Sequence, residues 1–172
     1  MKFLCIVPIF NEESKLKNLI EEIKIFKEKD NDVDFLLINN GSTDNSEEQI
    51  LSSKIKYLSF KKNYGVGFAL IKGLEFALEN NYNYIIHLAG NGKMDPNQIT
   101  KFKEKILNEK FQFVSGSRFL ESGDYSSNPA GRIIMIKILS LFISMLYLRK
   151  ITDATCGFRA FDTIFLKKNY IF

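Results

Sequence analysis

Short apolar runs alternate with amphipathic ones along almost the whole chain, and this alternation limits the fold more than any other feature. Residues 3–7, Phe-Leu-Cys-Ile-Val, read as a buried strand. The next stretch carries Leu16, Leu19, Ile20, Ile23 and Phe26 at helical spacing. Asn11 is expected to cap that helix, with Glu12 and Glu13 at the positive end of its dipole. Further strands are predicted over 35–38, 55–60, 84–88 and 111–114. A short helix is expected after Asp44. A longer one is expected over 65–78, with Phe68, Ile71, Leu74, Ala77 and Leu78 along one side. Asp95-Pro96 supplies a cap and a first-turn proline for a helix continued by Ile99, Phe102, Ile106 and Leu107. A polar loop, a long apolar helix from about Arg132 and a final loop around Asp153 complete the pattern. Strands alternating with helices imply right-handed crossovers and a mainly parallel sheet, hence the α/β class. Ligands of such sheets bind beyond the carboxyl ends of the strands. Four polar loops fall there, after Val7, Ile38, Leu88 and Val114, and are expected to converge on one site.

A chain of 172 residues fits one domain, 1–172. Its 45% hydrophobic and 26% charged residues exclude a disordered, collagen-like or disulfide-scaffold protein. The net charge of +4 suits an anionic ligand or an anionic membrane surface and does not call for nucleic acid. Cys5 lies inside an apolar run, far from Cys156, and reads as a core thiol of a reducing, cytosolic setting. Residues 1–8 are too short and too quickly interrupted for a signal peptide. No uncharged run reaches 18 residues, so no ordinary transmembrane helix is expected. The nearest approach is 133–148, which carries Lys137 and is flanked by Arg132, Arg149 and Lys150. The helix it predicts, at about 132–149, has three open readings. It could be buried on the sheet, lie on an anionic membrane surface, or form a dimer contact. Oligomeric state is not legible.

Taken singly, the loop motifs are ordinary turns. Pro8 is expected to end the first strand and fix the exit direction. Asn40-Gly41-Ser42-Thr43-Asp44 combines a glycine with side chains that bond backbone amides. Asn63 to Leu70 superficially suggests a dinucleotide fingerprint. Leu70 stands at the third glycine position, however, and the segment does not follow the first strand.

In order along the chain the motifs say more. Pro8-x-x-Asn11-Glu12, Asn40-Gly41-Ser42-Thr43-Asp44 and Asn63-x-Gly65 with Ala69 and Gly73 resemble family 2 glycosyltransferases. So do Gly116-Ser117-Arg118-Phe119 and Asp153-Ala154-Thr155-Cys156-Gly157-Phe158-Arg159, the latter matching an acceptor-side loop at 151–161. The resemblance runs from residue 3 to about 161, and its nearest branch is the dolichol-phosphate mannosyltransferase-like group. It implies a GT-A fold, a Rossmann-like nucleotide-sugar-binding sandwich. It implies inverting hexosyl transfer from a nucleotide-sugar donor to a polyprenyl phosphate or glycan acceptor. The setting would be envelope polysaccharide or glycolipid synthesis at the cytoplasmic face of a membrane, with peripheral membrane contact. Pro8, Phe10 and Glu12 would lie beside base and ribose. Asn39 and Asn40 stand where the family has one or two Asp residues near the base. Ser42, Asn63 and Gly65 belong to the same donor-side motifs. Arg118 and Arg159 are permanent cations suited to phosphate oxygens.

One departure is conspicuous. The family's metal-binding Asp-x-Asp falls on Ala89-Gly90-Asn91, so both carboxylates are replaced, and Lys93 stands two positions on. Mg2+ and Mn2+ prefer hard oxygen ligands with carboxylates among them and are disfavoured as cofactors here. Three readings are open. Lys93 neutralises the donor diphosphate in place of a metal; Asp95 holds a metal with water and phosphates; or the chain is a catalytically silent nucleotide-sugar-binding module. The catalytic candidates are therefore Asp153, Lys93 and Arg159. Asp153 would be the base for an alcohol acceptor; for an ionised lipid phosphate it would orient Arg159 or another loop group. His87 sits in a strand pattern and reads as a packed side chain. Family members continue with further helices, so a chain ending at 167–172 is either compact or truncated. A dinucleotide-binding protein is the remaining alternative, disfavoured by the incomplete glycine pattern.

Overall fold

The computed structural model describes residues 1–120, 123, 125–126 and 128–169. The C-terminal tripeptide from Tyr170 lies outside the described residues. In chain order the elements are β1 (Phe3–Ile9), α1 (Glu13–Lys29), β2 (Val33–Asn40), α2 (Ser46–Ser52), β3 (Lys56–Phe60), α3 (Val66–Glu79) and β4 (Tyr84–His87). A 3-10 turn (Pro96–Gln98) leads into α4 (Ile99–Glu109), followed by β5 (Phe113–Ser115), α5 (Ala130–Tyr147), β6 (Arg159–Asp162) and α6 (Thr163–Asn169). The strands form one six-stranded sheet in the order β3-β2-β1-β4-β6-β5. β1 pairs in parallel with β2 and with β4, and β2 with β3. Two compact units are formed: Met1–Val114 with Ala160–Phe172, and Ser115–Arg159.

The first unit is a sheet covered on both faces, which explains why its central strands read as continuous apolar runs. Leu4, Ile6, Leu36 and Ile38 pack with Ala69, Leu74 and Ala77 of α3. From α1, Leu16, Leu19, Ile23 and Phe26 are buried, and Phe26 meets Phe35 edge-on with ring centres 5.8 Å apart. Cys5 is fully buried, and burial pushes its thiol far above the ordinary range. His87 is half-buried in β4, opposite Ile6 in register.

Three local expectations are corrected. β1 does not end at Pro8 but continues to Ile9, with Pro8 opposite Ile38. The Pro8 carbonyl accepts from the Gly90 N–H at 3.2 Å, so the missing proline donor faces the β4 side, where the β1–β4 ladder has already ended at His87. The ladder to β2 therefore loses nothing. Asn11 does not cap α1, which starts one residue later than such a cap requires; the Asp44 carboxylate takes the Glu13 N–H instead, at 3.1 Å. Finally, the sequence pattern predicts neither β6 nor α6, and β6 begins inside the loop expected at 151–161. The strand has only four residues, two of them charged, which hides it from periodicity. Its place between β4 and β5 is fixed by Thr163, whose hydroxyl donates to the Tyr82 and Asn83 carbonyls at 2.8 and 2.9 Å.

In the second unit, α5 is exposed along most of its length. Ile136 and Ser140 are its buried residues, while Met135 (72%), Ile138 (63%), Phe142 (59%) and Met145 (68%) face outward. By length and composition α5 is the one helix among the described residues able to cross a membrane, which amends the expectation of none. Its 18 residues span about 27 Å, against a bilayer core of roughly 30 Å. The two serines that interrupt the apolar stretch have structural work. The Ser140 hydroxyl accepts from the Ala154 N–H at 3.0 Å and the Ser144 hydroxyl from the Ile151 N–H at 2.9 Å, fastening the returning chain to the helix.

Candidate functional site

The loops that leave β1, β2, β3 and β4 at their carboxyl ends are laced together within the first unit. Asn11 is left-handed (φ +54°), a conformation Asn tolerates better than most residues. Its side-chain oxygen accepts from the Thr43 N–H at 2.8 Å, and its own N–H donates to the Ser42 hydroxyl at 3.1 Å. Asp44 joins two helix starts. One carboxylate oxygen takes the Ser46 N–H at 3.0 Å at the head of α2, and the other takes the Glu13 N–H at the head of α1. Burial alone would raise the Asp44 carboxyl, but hydrogen bonds from Ser46 and Glu13 hold it below the usual carboxylate range. Glu13 answers by accepting the Asn45 N–H at 2.9 Å.

Asn39 and Asn40 close the β2 end. Both are buried. The Asn39 amide donates to the Ser59 hydroxyl at 3.0 Å, and its oxygen takes the Ser42 N–H at 2.9 Å. Asn40 donates to the Asn63 side-chain oxygen at 3.0 Å and to the Gly65 carbonyl at 3.1 Å, while its oxygen takes the Tyr64 N–H at 3.2 Å. A carboxylate at position 40 would face two acceptor oxygens without a proton to offer. The amide is therefore dictated by the loop it braces. Gly41, at φ +74°, lets the β3 loop pass close: a Cβ there would lie 2.3 Å from the Lys62 carbonyl carbon. Around this frame Phe10 exposes an apolar ring at 41%, and half-buried Glu12 pairs with Lys15 at 3.8 Å. Pro8 and Ser42 are half-buried; Asn63 and Gly65 are exposed on the β3 side.

The β4 loop runs beside the β1 loop. A Cβ at Gly90 would come within 2.6 Å of the Pro8 carbonyl oxygen and 2.8 Å of Ile9, so only glycine fits. The place of a side chain on Gly92 is 3.8 Å from the Cβ of Lys15. Lys93 is exposed, and its N–H is held by the Asn91 side-chain oxygen at 3.1 Å. Asp95 caps the following turn, its carboxylate taking both the N–H and the side-chain amide of Asn97 at 2.8 Å. This donor set does not fit a divalent cation. Ala89 has no side-chain ligand, the Asn91 oxygen is neutral and already accepts one N–H, and Lys93 adds a like charge. Among the described residues no group of three His, Cys, Asp or Glu side chains is placed to hold a metal.

The second unit builds a separate charged cluster. Arg118 grips Asp153 with both edges of its fork, Nε to Oδ2 at 2.7 Å and Nη2 to Oδ1 at 2.9 Å. Asp153 also takes the Arg118 N–H at 3.2 Å and the Thr155 N–H and hydroxyl, both at 3.1 Å. Its side chain is wholly buried. Burial raises the Asp153 carboxyl, but the Arg118 fork and the two backbone donors win and hold it below the usual range. A carboxylate so engaged is a poor proton acceptor. The geometry therefore favours a positioning role over that of a base, and the partner it positions is Arg118. Arg159 is tied instead to the Cys156 and Ala154 carbonyls at 2.8 and 3.1 Å. Asn11 and Asp44 stand in the matched motifs, but their hold on the Thr43 and Glu13 N–H groups, and that of Ser46, whose hydroxyl takes the Glu12 N–H at 2.9 Å, is not written in the sequence.

The sequence model of glycosyl transferase family 2 matches residues 4–169, nearly the whole chain. The chain belongs to this family. It is a glycosyltransferase domain of the dolichol-phosphate-like branch that its motifs resembled. An uncharacterized protein of Methanocaldococcus jannaschii is 30% identical to it, over 95% of this chain and 73% of that protein. The UDP-N-acetylglucosamine–dolichyl-phosphate N-acetylglucosaminyltransferase of Methanococcus voltae is 26% identical, over 94% of this chain and 70% of the relative. Among solved structures, glucosyl-3-phosphoglycerate synthase from Mycobacterium tuberculosis, in complex with Mn2+, UDP and glucosyl-3-phosphoglycerate, superposes with a TM-score of 0.72 at 19% identity. That match covers 96% of this chain but only 58% of the synthase, so the chain spans little more than half of the solved protein. The fold is the GT-A type.

Proposed function

We propose that this chain transfers a hexose, with inversion, from a nucleoside-diphosphate sugar to a polyprenyl phosphate at the cytoplasmic face of a membrane. The product would serve the synthesis of envelope polysaccharide or glycolipid. The observation that carries this reading is the laced rim of four loops over the parallel strands, where an α/β sheet takes its ligand. The lipid phosphate in the name of the Methanococcus voltae relative supports the acceptor class. Phe10 would offer its exposed ring to the base, and Glu12 would accept from ribose hydroxyls. In the transfer, an acceptor phosphate oxygen forms the new bond to the anomeric carbon. The bond from that carbon to the nucleoside diphosphate breaks, and the electron pair leaves with the diphosphate. A lipid phosphate is already ionised at neutral pH, so no base is needed, in keeping with an Asp153 committed to Arg118. Arg118 and Arg159 supply fixed positive charge for phosphate oxygens.

The second unit also offers what an anionic amphiphile requires. An open cleft of about 500 Å3 is lined by aliphatic Leu141, Met145 and Leu148 together with Lys137, Arg149 and Lys150. With the exposed face of α5 it supports peripheral contact with an anionic membrane. The test is a transfer assay with the full chain, detergent-dispersed undecaprenyl phosphate and a panel of labelled UDP- and GDP-hexoses, read by mass spectrometry. A glycosyl-phosphate lipid is expected. Donor binding without any transfer or donor hydrolysis would leave a silent binding module, the alternative that rests on the replaced Asp-x-Asp.

A further inference from the structure

We infer that this chain binds the diphosphate of its donor without a divalent cation and that Lys93 supplies the countercharge. The inference rests on the reading of the β4 loop as part of the donor site. The similar synthase was solved in complex with Mn2+ and UDP. Here the loop in the corresponding place of the matched motif offers no carboxylate, and its one neutral side-chain oxygen, on Asn91, already accepts the Lys93 N–H. The other carboxylates of the rim are already engaged, Asp44 with both oxygens at two helix starts, Glu13 with one oxygen on the Asn45 N–H, Asp95 with one on Asn97, and Glu12 with one on Lys15.

Positive charge, in contrast, is free. Lys93 is exposed, and among the described residues its ammonium group has no ion-pair partner. The loop that carries it is held at both ends, by Gly90 against Pro8 and by Asp95 at the turn. An ammonium group is a compact charge with three donors, which suits a diphosphate losing its ester bond and gaining charge as it leaves.

The test is calorimetric titration of the full chain with UDP, GDP, CDP, dTDP and ADP and their nucleosides, in EDTA and again with Mn2+. One nucleoside diphosphate is expected to bind in EDTA with an affinity that Mn2+ changes less than about twofold. Lys93→Ala should weaken that diphosphate about 10- to 100-fold and its nucleoside less than about twofold, while Lys93→Arg retains most of the affinity. Binding that appears only with Mn2+, or an unchanged affinity in Lys93→Ala, would overturn the inference and leave the donor site standing. Absence of binding to every nucleotide in both conditions would overturn the donor site itself and the inference with it.

Discussion

Replacing Asp153 by Asn keeps the shape of the side chain and removes its charge, which isolates what the ion pair with Arg118 contributes. The wild-type carboxylate is wholly buried and accepts five hydrogen bonds, two of them from the guanidinium fork. The Asn side chain presents an NH2 group to donors on one side and leaves the Arg118 charge without a partner. Removing one member of a buried pair costs about 3–5 kcal/mol. Arg118 retains 20% side-chain exposure, so water can reach part of it and the lower end, about 3 kcal/mol, is expected. For a chain of this size that corresponds to a fall of roughly 6–12 °C in melting temperature. Thr155→Ala, which removes one hydroxyl from the same cluster, should cost about 1 kcal/mol. Far-UV circular dichroism reads both. The pH dependence gives the sign. The Asp153 carboxyl is depressed in the folded state, so its contribution is present above about pH 3.9, the unfolded value, and is lost as pH falls through the folded value. The gap between wild type and Asp153→Asn should therefore narrow in acid. A loss no larger than that of Thr155→Ala, or a gap that does not narrow, would refute the buried-pair reasoning.

Other expectations follow from the rim. Asn40→Asp places a carboxylate against the Asn63 side-chain oxygen and the Gly65 carbonyl, and should cost about 2–3 kcal/mol in urea denaturation. Asp44→Ala removes the caps of two helices, at about 1 kcal/mol each, so a loss near 2 kcal/mol is expected. Because the Asp44 carboxyl is also depressed, that loss should be full above about pH 3.9 and fade below it. On α5, the double change Ile138→Glu and Met145→Glu alters two exposed side chains and should leave the melting temperature nearly unchanged. The same change should abolish sedimentation with phosphatidylglycerol vesicles; retained sedimentation would place the membrane contact elsewhere.

The order of strands and helices was legible because burial on both sheet faces writes itself as apolar runs, and burial on one helix face as a 3.6-residue period. The convergence of the β1, β2 and β4 loops was legible from the same alternation, since parallel strands put their carboxyl ends on one edge. What stayed hidden depends on partners distant in sequence. Pro8 remains inside β1 because β4 has stopped on the side where its N–H is missing. Asp44 caps a helix 31 residues upstream, which no local cap pattern reveals. The amides at 39 and 40 invite a reading as altered base contacts, yet they are set by acceptors 20 to 25 residues further along. For Asp153 the motif offers Arg159 or another loop group as the partner, and it is Arg118, 35 residues away, that carries the grip. The exposure of α5 was beyond reach for a plainer reason: composition tells that a helix is apolar, and only packing tells what covers it.

The central claim is that the rim over β1 to β4 holds the nucleotide-sugar donor, and hydrogen–deuterium exchange with saturating donor tests it most directly. The account predicts slower exchange in segments 8–12, 40–46, 62–66 and 89–95 and little change over 130–152. Protection confined to 130–152, or none in the rim while calorimetry reports binding, would contradict it.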